Sequence, residues 1–307
     1  MSEYTTLILS RAIEKSSYQM HQFFNEFSNL FRRIFTFLMV SSLFIATTGF
    51  FETYMGYVLL GVTPNVMVCF AVFLMTFSVY SLDKITDSKE DAINMPERSS
   101  FLSGRRKLVL CYSLAAYSLS VLLIFLDRPS ALPIIFIPLA TNAVYGSKLI
   151  SGMPRLKDVP VVKNVVVSIS WALVTTLLPA MQMAPKTGSM IASVLYFMLA
   201  KVFINAVLFD VRDVKGDREM GVKTMPVLLG FRRTTAILLG LNSTLLLCLM
   251  YLGSMPRHLT LIMVLYGYVY IFYFSERRSP IALDFFVDGQ WMIVAIFFLV
   301  LKGFGLS

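Results

Sequence analysis

Residues 188–217 read GSMIASVLYFMLAKVFINAVLFDVRDVKGD: an apolar run over 188–209, followed at once by Asp210, Asp213 and Asp217. About 18 apolar residues suffice to cross a hydrocarbon core of about 30 Å. The run is continuous rather than alternating, so the crossing element is a helix and not a barrel strand. Eight further runs of this kind follow one another over 34–51, 65–82, 107–126, 130–145, 161–182, 233–253, 257–275 and 281–302. The run over 130–145 is the shortest and carries Pro133 and Pro138, which membrane helices tolerate when neighbours satisfy the freed carbonyls. The 307-residue chain is 57% hydrophobic and only 15% charged, against about a quarter charged in a soluble domain. This specifies an all-α polytopic membrane bundle of about nine transmembrane helices, one domain over 34–302.

The 27 Lys and Arg sort by loop. The N-terminal segment and the loops after even-numbered runs hold 22 of them, and the opposite loops and C-terminus hold four. By the positive-inside rule the N-terminus and the even loops are cytoplasmic, in a multi-pass protein of the cell membrane. The net charge of +9 is thus a topology signal and not a nucleic-acid footprint. Residues 1–33 show no signal-peptide pattern. Phe23, Phe24, Phe27 and Phe31 fall near one face there, as in a helix lying on the cytoplasmic membrane surface. Cys69, Cys111 and Cys248 all lie in apolar runs, which excludes a disulfide scaffold. His21 and His258 are isolated, so a histidine-bound metal or haem is not expected.

Acidic residues gather in two cytoplasmic loops of matching layout. The first holds Asp83, Asp87 and Asp91 at i, i+4 and i+8, and the second Asp210, Asp213 and Asp217 at i, i+3 and i+7. Each set shares one helical face. Asp83 to Asp210 spans 127 positions, as does Arg105 to Arg232, which suggests a duplicated four-helix unit. Like charges at this spacing repel, so three readings compete: a solvated helix end balanced by nearby cations, a cation pathway, or a Mg²⁺–diphosphate site. A pathway would place its acids near mid-membrane, whereas these stand at span ends. Hard divalent cations take carboxylate and phosphate oxygens, and flanking Lys and Arg suit the outer oxygens of a diphosphate.

At these residues the chain resembles the UbiA superfamily of intramembrane prenyltransferases. The first motif is matched by Asp83, Asp87 and Asp91, continuing to Asn94, Pro96 and Arg98; the second is matched by Asp210, Asp213 and Asp217 within the stretch 210–230, which resembles the family throughout. Asp83 stands where the family usually has Asn. The loop with Tyr145, Lys148, Arg155, Lys157, Lys163 and Asn164 resembles the family's basic loop more loosely. The resemblance implies helices around a central cavity, with Mg²⁺ bridging the six aspartates to a polyprenyl diphosphate donor. It also implies a donor site of Asn94, Arg98, Tyr145, Lys148, Lys163 and Lys223, and a carbocation shielded by rings such as Tyr80, Tyr145, Trp171 or Phe209. The acceptor would be a hydrophobic molecule of the bilayer, an aromatic of the quinone type being slightly preferred over a prenylated glycerol phosphate of archaeal lipids. A transporter of divalent cations or phosphorylated lipids, or a non-catalytic family member, are the alternatives. Asp284 and Asp288 are read either as lining an acceptor pocket or a water-filled mouth, or as loop residues, and Lys201 and Asn205 as facing the bundle interior.

Overall fold

The computed structural model describes residues 2–86, 100–146, 159, 161–183, 187–276 and 278–304. The elements are α1 (Ser2–Val40), α2 (Leu43–Leu59), α3 (Val66–Thr86), α4 (Arg106–Asp127), α5 (Leu132–Ile135), α6 (Ile137–Gly146), α7 (Val162–Ala180), α8 (Gly188–Glu219), α9 (Met225–Thr244), α10 (Ser254–Tyr273), α11 (Pro280–Leu283) and α12 (Gln290–Gly303). No strand occurs among the described residues. The nine apolar runs are largely helical, but among the described residues five helices meet the length and apolarity needed to cross a membrane, or seven if two bent pairs each count as one span, so the count of nine spans is not reached there.

Three runs are less regular than their composition implies. The first is not one helix over 34–51, because the chain breaks at Ser41 and Ser42, where Ser42 takes a left-handed conformation with φ 69°. The run over 130–145 divides into a 3-10 turn (Pro129–Ala131), α5 and α6. Its prolines remove amide donors and force the divisions. The last run opens with α11 and a π-turn over Asp284–Asp288, bending 45° into α12.

Two helices organise the interior. On one side α2 and α8 pack with α7, α10 and α12 around Met55, Leu59, Phe197, Met198, Met263 and Trp291. On the other, α2 and α3 pack with α4 and α7 around Tyr57, Val72, Met75 and Val174. The outer faces stay apolar: Leu108, Leu114, Leu122, Phe125, Leu265 and Val269 are all exposed. That is the inverse of a soluble protein and suits a hydrocarbon solvent. Cys69 and Cys248 are buried and Cys111 is exposed, all as free thiols.

Candidate active site

Between α2, α3, α7, α8 and the π-turn lies one cavity of about 300 Å³. α8 runs as an unbroken helix from its apolar half into its acidic end, so Asp210 and Asp213 keep their register and both reach the cavity rim. Asp83 joins them from the end of α3, and Lys163 and Asn164 from the start of α7.

Each acid at the rim is held. The Asn164 amide donates to Asp210 Oδ2 at 2.8 Å, and Lys163 Nζ stands 3.4 Å from Oδ1. Arg212 forks onto Asp213, Nε and Nη2 each donating to a carboxylate oxygen at 2.8 Å. Its Nη1 crosses to Asp284 Oδ1 at 3.2 Å, and its guanidinium lies 4.8 Å over the Phe209 ring. Such planar, bidentate contacts fix direction as well as charge. Asp217 is turned away from the cavity lining and accepts a hydrogen bond of 3.1 Å from Thr224, the residue before α9. Lys84, next to Asp83, also lines the cavity and donates to the last carbonyls of α1, Val40 O at 2.7 Å and Met39 O at 3.3 Å. A cation there complements the negative end of the helix dipole.

Inward from the rim the walls turn apolar and aromatic. Tyr80 stacks on Trp171 with centroids 5.7 Å apart, and Phe209 and Trp291 complete the ring-bearing surface. Asp284 and Asp288 are both buried and line this space. The π-turn is what turns both inward, and such turns recur at functional sites. Behind Asp288 runs a buried chain of polar groups. Lys201 Nζ donates to Tyr270 Oη at 2.9 Å, Tyr270 to Asn205 Oδ1 at 3.4 Å, and Asn205 Nδ2 to Asp288 Oδ1 at 3.5 Å. Lys201 and Asn205 therefore face the interior, as their position in the span implies.

Of the residues singled out from the sequence, Asp83, Asp210, Asp213 and Lys163 meet at the rim, and Tyr80, Trp171 and Phe209 line the interior. Lys223 is exposed and lies outside the lining. Asp87, Asp91, Asn94, Arg98 and Lys148 lie outside the described residues, as does the side chain of Tyr145 on α6. Sequence reasoning passed over Glu52 and Arg212, which both line the cavity. The signal for Glu52 was present, since a lone acid inside an apolar run is costly in a membrane.

The description "UbiA prenyltransferase family" belongs to the family model that matches residues 34–299. The chain belongs to this family. Its curated relatives include the digeranylgeranylglyceryl phosphate synthase of Natronomonas pharaonis, 30% identical over 66% of this chain and 67% of that protein. That of Methanothrix thermoacetophila is 28% identical over 56% of this chain, which spans only 61% of that relative's length. Among solved structures, a UbiA homologue from Archaeoglobus fulgidus bound to GPP and Mg²⁺ matches with a TM-score of 0.65 at 16% identity, over 88% of this chain and 99% of that one. The apo UbiA homologue from Aeropyrum pernix matches with a TM-score of 0.60 at 15% identity, over 84% and 98%. At such identities the likeness is one of fold, and it establishes the UbiA architecture for this chain.

Proposed function

We propose that the chain transfers a prenyl group from a polyprenyl diphosphate to a lipophilic acceptor in the bilayer, with Mg²⁺ as cofactor. The observation that carries this reading is the meeting of Asp83, from one acidic motif, with Asp210 and Asp213, from the other, at the rim of one cavity with aromatic walls. Their oxygens are the hard donors that Mg²⁺ prefers. Among the described residues no three acidic, His or Cys side chains converge closely enough to hold a metal alone. Mg²⁺ usually completes its shell with phosphate oxygens and water, so the donor set fits a metal that arrives with the diphosphate. Asp83, Asp210 and Asp213 would hold it, with Asp87, Asp91 and Asp217 completing the two motifs. When bound, Mg²⁺ neutralises charge on the leaving diphosphate.

The chain's own groups do the rest. Lys163 places fixed positive charge at the rim, where charge builds up as the allylic C–O bond breaks; Asn94, Arg98, Tyr145, Lys148 and Lys223 are assigned to the same donor site. The faces of Tyr80, Trp171 and Phe209 screen the allylic cation. The apolar walls exclude water, which would otherwise capture that cation. In this reading the nine apolar runs form one membrane domain over 34–302 in the cell membrane. The N-terminal segment and both acidic motifs are cytoplasmic, and α1 lies against the membrane surface over 1–33.

The names of the curated relatives favour a prenylated glycerol phosphate as acceptor, while the stacked Tyr80–Trp171 pair favours a flat ring. The experiment is a product assay in nanodiscs with radiolabelled geranylgeranyl diphosphate, Mg²⁺ against EDTA, and both acceptor classes. A Mg²⁺-dependent adduct identified by mass is expected. A folded chain that neither binds nor cleaves the donor would refute the reading.

A further inference from the structure

Glu52 belongs to neither acidic motif. It lies within α2 on the face shared by Gly49 and Gly56, three and four residues away. Those glycines let α2 close on its neighbours: a Cβ at 49 would stand 2.3 Å from Thr76 Oγ1, and one at 56 would stand 2.0 Å from the Thr175 carbonyl oxygen. The close packing fixes the helix so that the Glu52 carboxyl, 6% exposed, faces the cavity's inner end beside Trp171 and Trp291. From Asp210 to Val202 on α8, or from Asn164 to Trp171 on α7, the rise places this end about 10–12 Å inward from the rim.

Two observations point to a ligand there. The Thr175 side chain reaches the Glu52 carboxyl, but its Oε1 has no hydrogen-bond partner among the described residues. The Asp288 carboxyl lines the same cavity and is near enough to act on it electrostatically. A buried acid is tolerated in such a place when something satisfies it. The prenyl donor cannot, because its diphosphate belongs at the rim and the rest of it is hydrocarbon. The satisfying group must therefore come with the other substrate.

We propose that Glu52 determines the acceptor, a lipophile whose inner end is uncharged and carries a hydroxyl that hydrogen-bonds to Glu52 Oε1 at the inner end of the cavity. This rests on the prenyl-transfer reading and narrows it. Burying an anion beside the Glu52 and Asp288 carboxyl groups costs more than leaving it within reach of water, so a carboxylate or phosphate on the acceptor belongs at the rim beside Lys163.

Both tryptophans of the chain line this cavity, so their fluorescence reports occupancy without turnover. The full chain in nanodiscs is titrated with 4-octylphenol, 4-octylanisole and 4-octylbenzoate. The phenol should bind about tenfold more tightly than the anisole, the worth of one buried hydrogen bond, and the benzoate most weakly. Glu52→Leu should erase the preference for phenol and admit the benzoate. Glu52→Gln, which keeps the shape and one neutral acceptor oxygen, should fall between. Equal binding of phenol and anisole by the unaltered chain, or a preference that survives Glu52→Leu, would overturn the proposal. Mg²⁺-dependent binding of geranylgeranyl thiolodiphosphate, a non-reacting donor analogue, is measured on the same preparations and should be unchanged in both variants. Its loss in the variants alone would assign Glu52 to the donor and overturn the proposal. Its absence from the unaltered chain would overturn the prenyl-transfer reading, while the phenol comparison would still decide the role of Glu52.

Discussion

At the residue scale, the acids at the rim differ in what holds them. Asp210 is buried and directed by the Asn164 amide at 2.8 Å, so its oxygens have a fixed aim. Asp210→Asn should lower turnover by more than about a hundredfold, since charge stabilisation of this kind is worth several kcal/mol. The thermal midpoint should barely move, and a product assay beside a melting curve checks both. Asp83→Asn should be milder, within about tenfold, because it restores the residue the family usually carries; the Mg²⁺ activation curve should shift instead. Arg212 is different again, being the cation shared by Asp213 and Asp284 across two helices. Arg212→Leu should cost about 2–3 kcal/mol, read as a fall in Tm, with Arg212→Lys recovering part of it because an ammonium cannot fork. The second motif was legible in the sequence because its three aspartates lie on successive turns of one helix. The service of Arg212 to Asp284 was not, because it joins positions 72 residues apart that only the bundle brings together.

At the scale of elements, the irregular places carry the site, and the sequence marked them unevenly. Pro133 and Pro138 announce that the run over 130–145 is not a plain helix, and α5 and α6 follow from them. The break at Ser42 has no such herald, since neither proline nor glycine stands there, and 34–51 reads as one span by composition. The π-turn over Asp284–Asp288 is equally silent, because an extra residue per turn depends on what the turn packs against. Glycine use tests how tightly these elements are set. Gly56→Ala would drive a methyl group into the Thr175 carbonyl, which is backbone and cannot give, so a loss of about 1–3 kcal/mol is expected. Gly240→Ala, in α9 with nothing within 4 Å, should be neutral or stabilising by up to about 1 kcal/mol. Thermal melts of the two variants side by side in one detergent separate close packing from mere helix propensity.

At the scale of the whole molecule, the charge asymmetry makes an orientation testable. On a background lacking Cys111, a cysteine at position 223 should react with a membrane-impermeant maleimide only from the cytoplasmic side, and one at 257 only from the other; the reverse pattern would invert the topology. The membrane class and the lipid-facing surface were readable from run length and loop charge, as the exposed Leu108, Leu122 and Val269 bear out. The cavity was not, because it is made by five elements that no single stretch of sequence contains. One length then acquires meaning. α8 has 32 residues, about 48 Å at 1.5 Å per residue, against a hydrocarbon thickness of about 30 Å. The excess of about 18 Å is some twelve residues, and counted back from Glu219 it takes in Asp210, Asp213 and Asp217. One helix is thus a ruler laid across two solvents, with its acids in the wet one. In the proposed reaction, cleavage of an allylic diphosphate at that mark would sort its products by solubility: the anion would diffuse off into water, the hydrocarbon would stay in oil, and the phase boundary itself would keep the two from recombining.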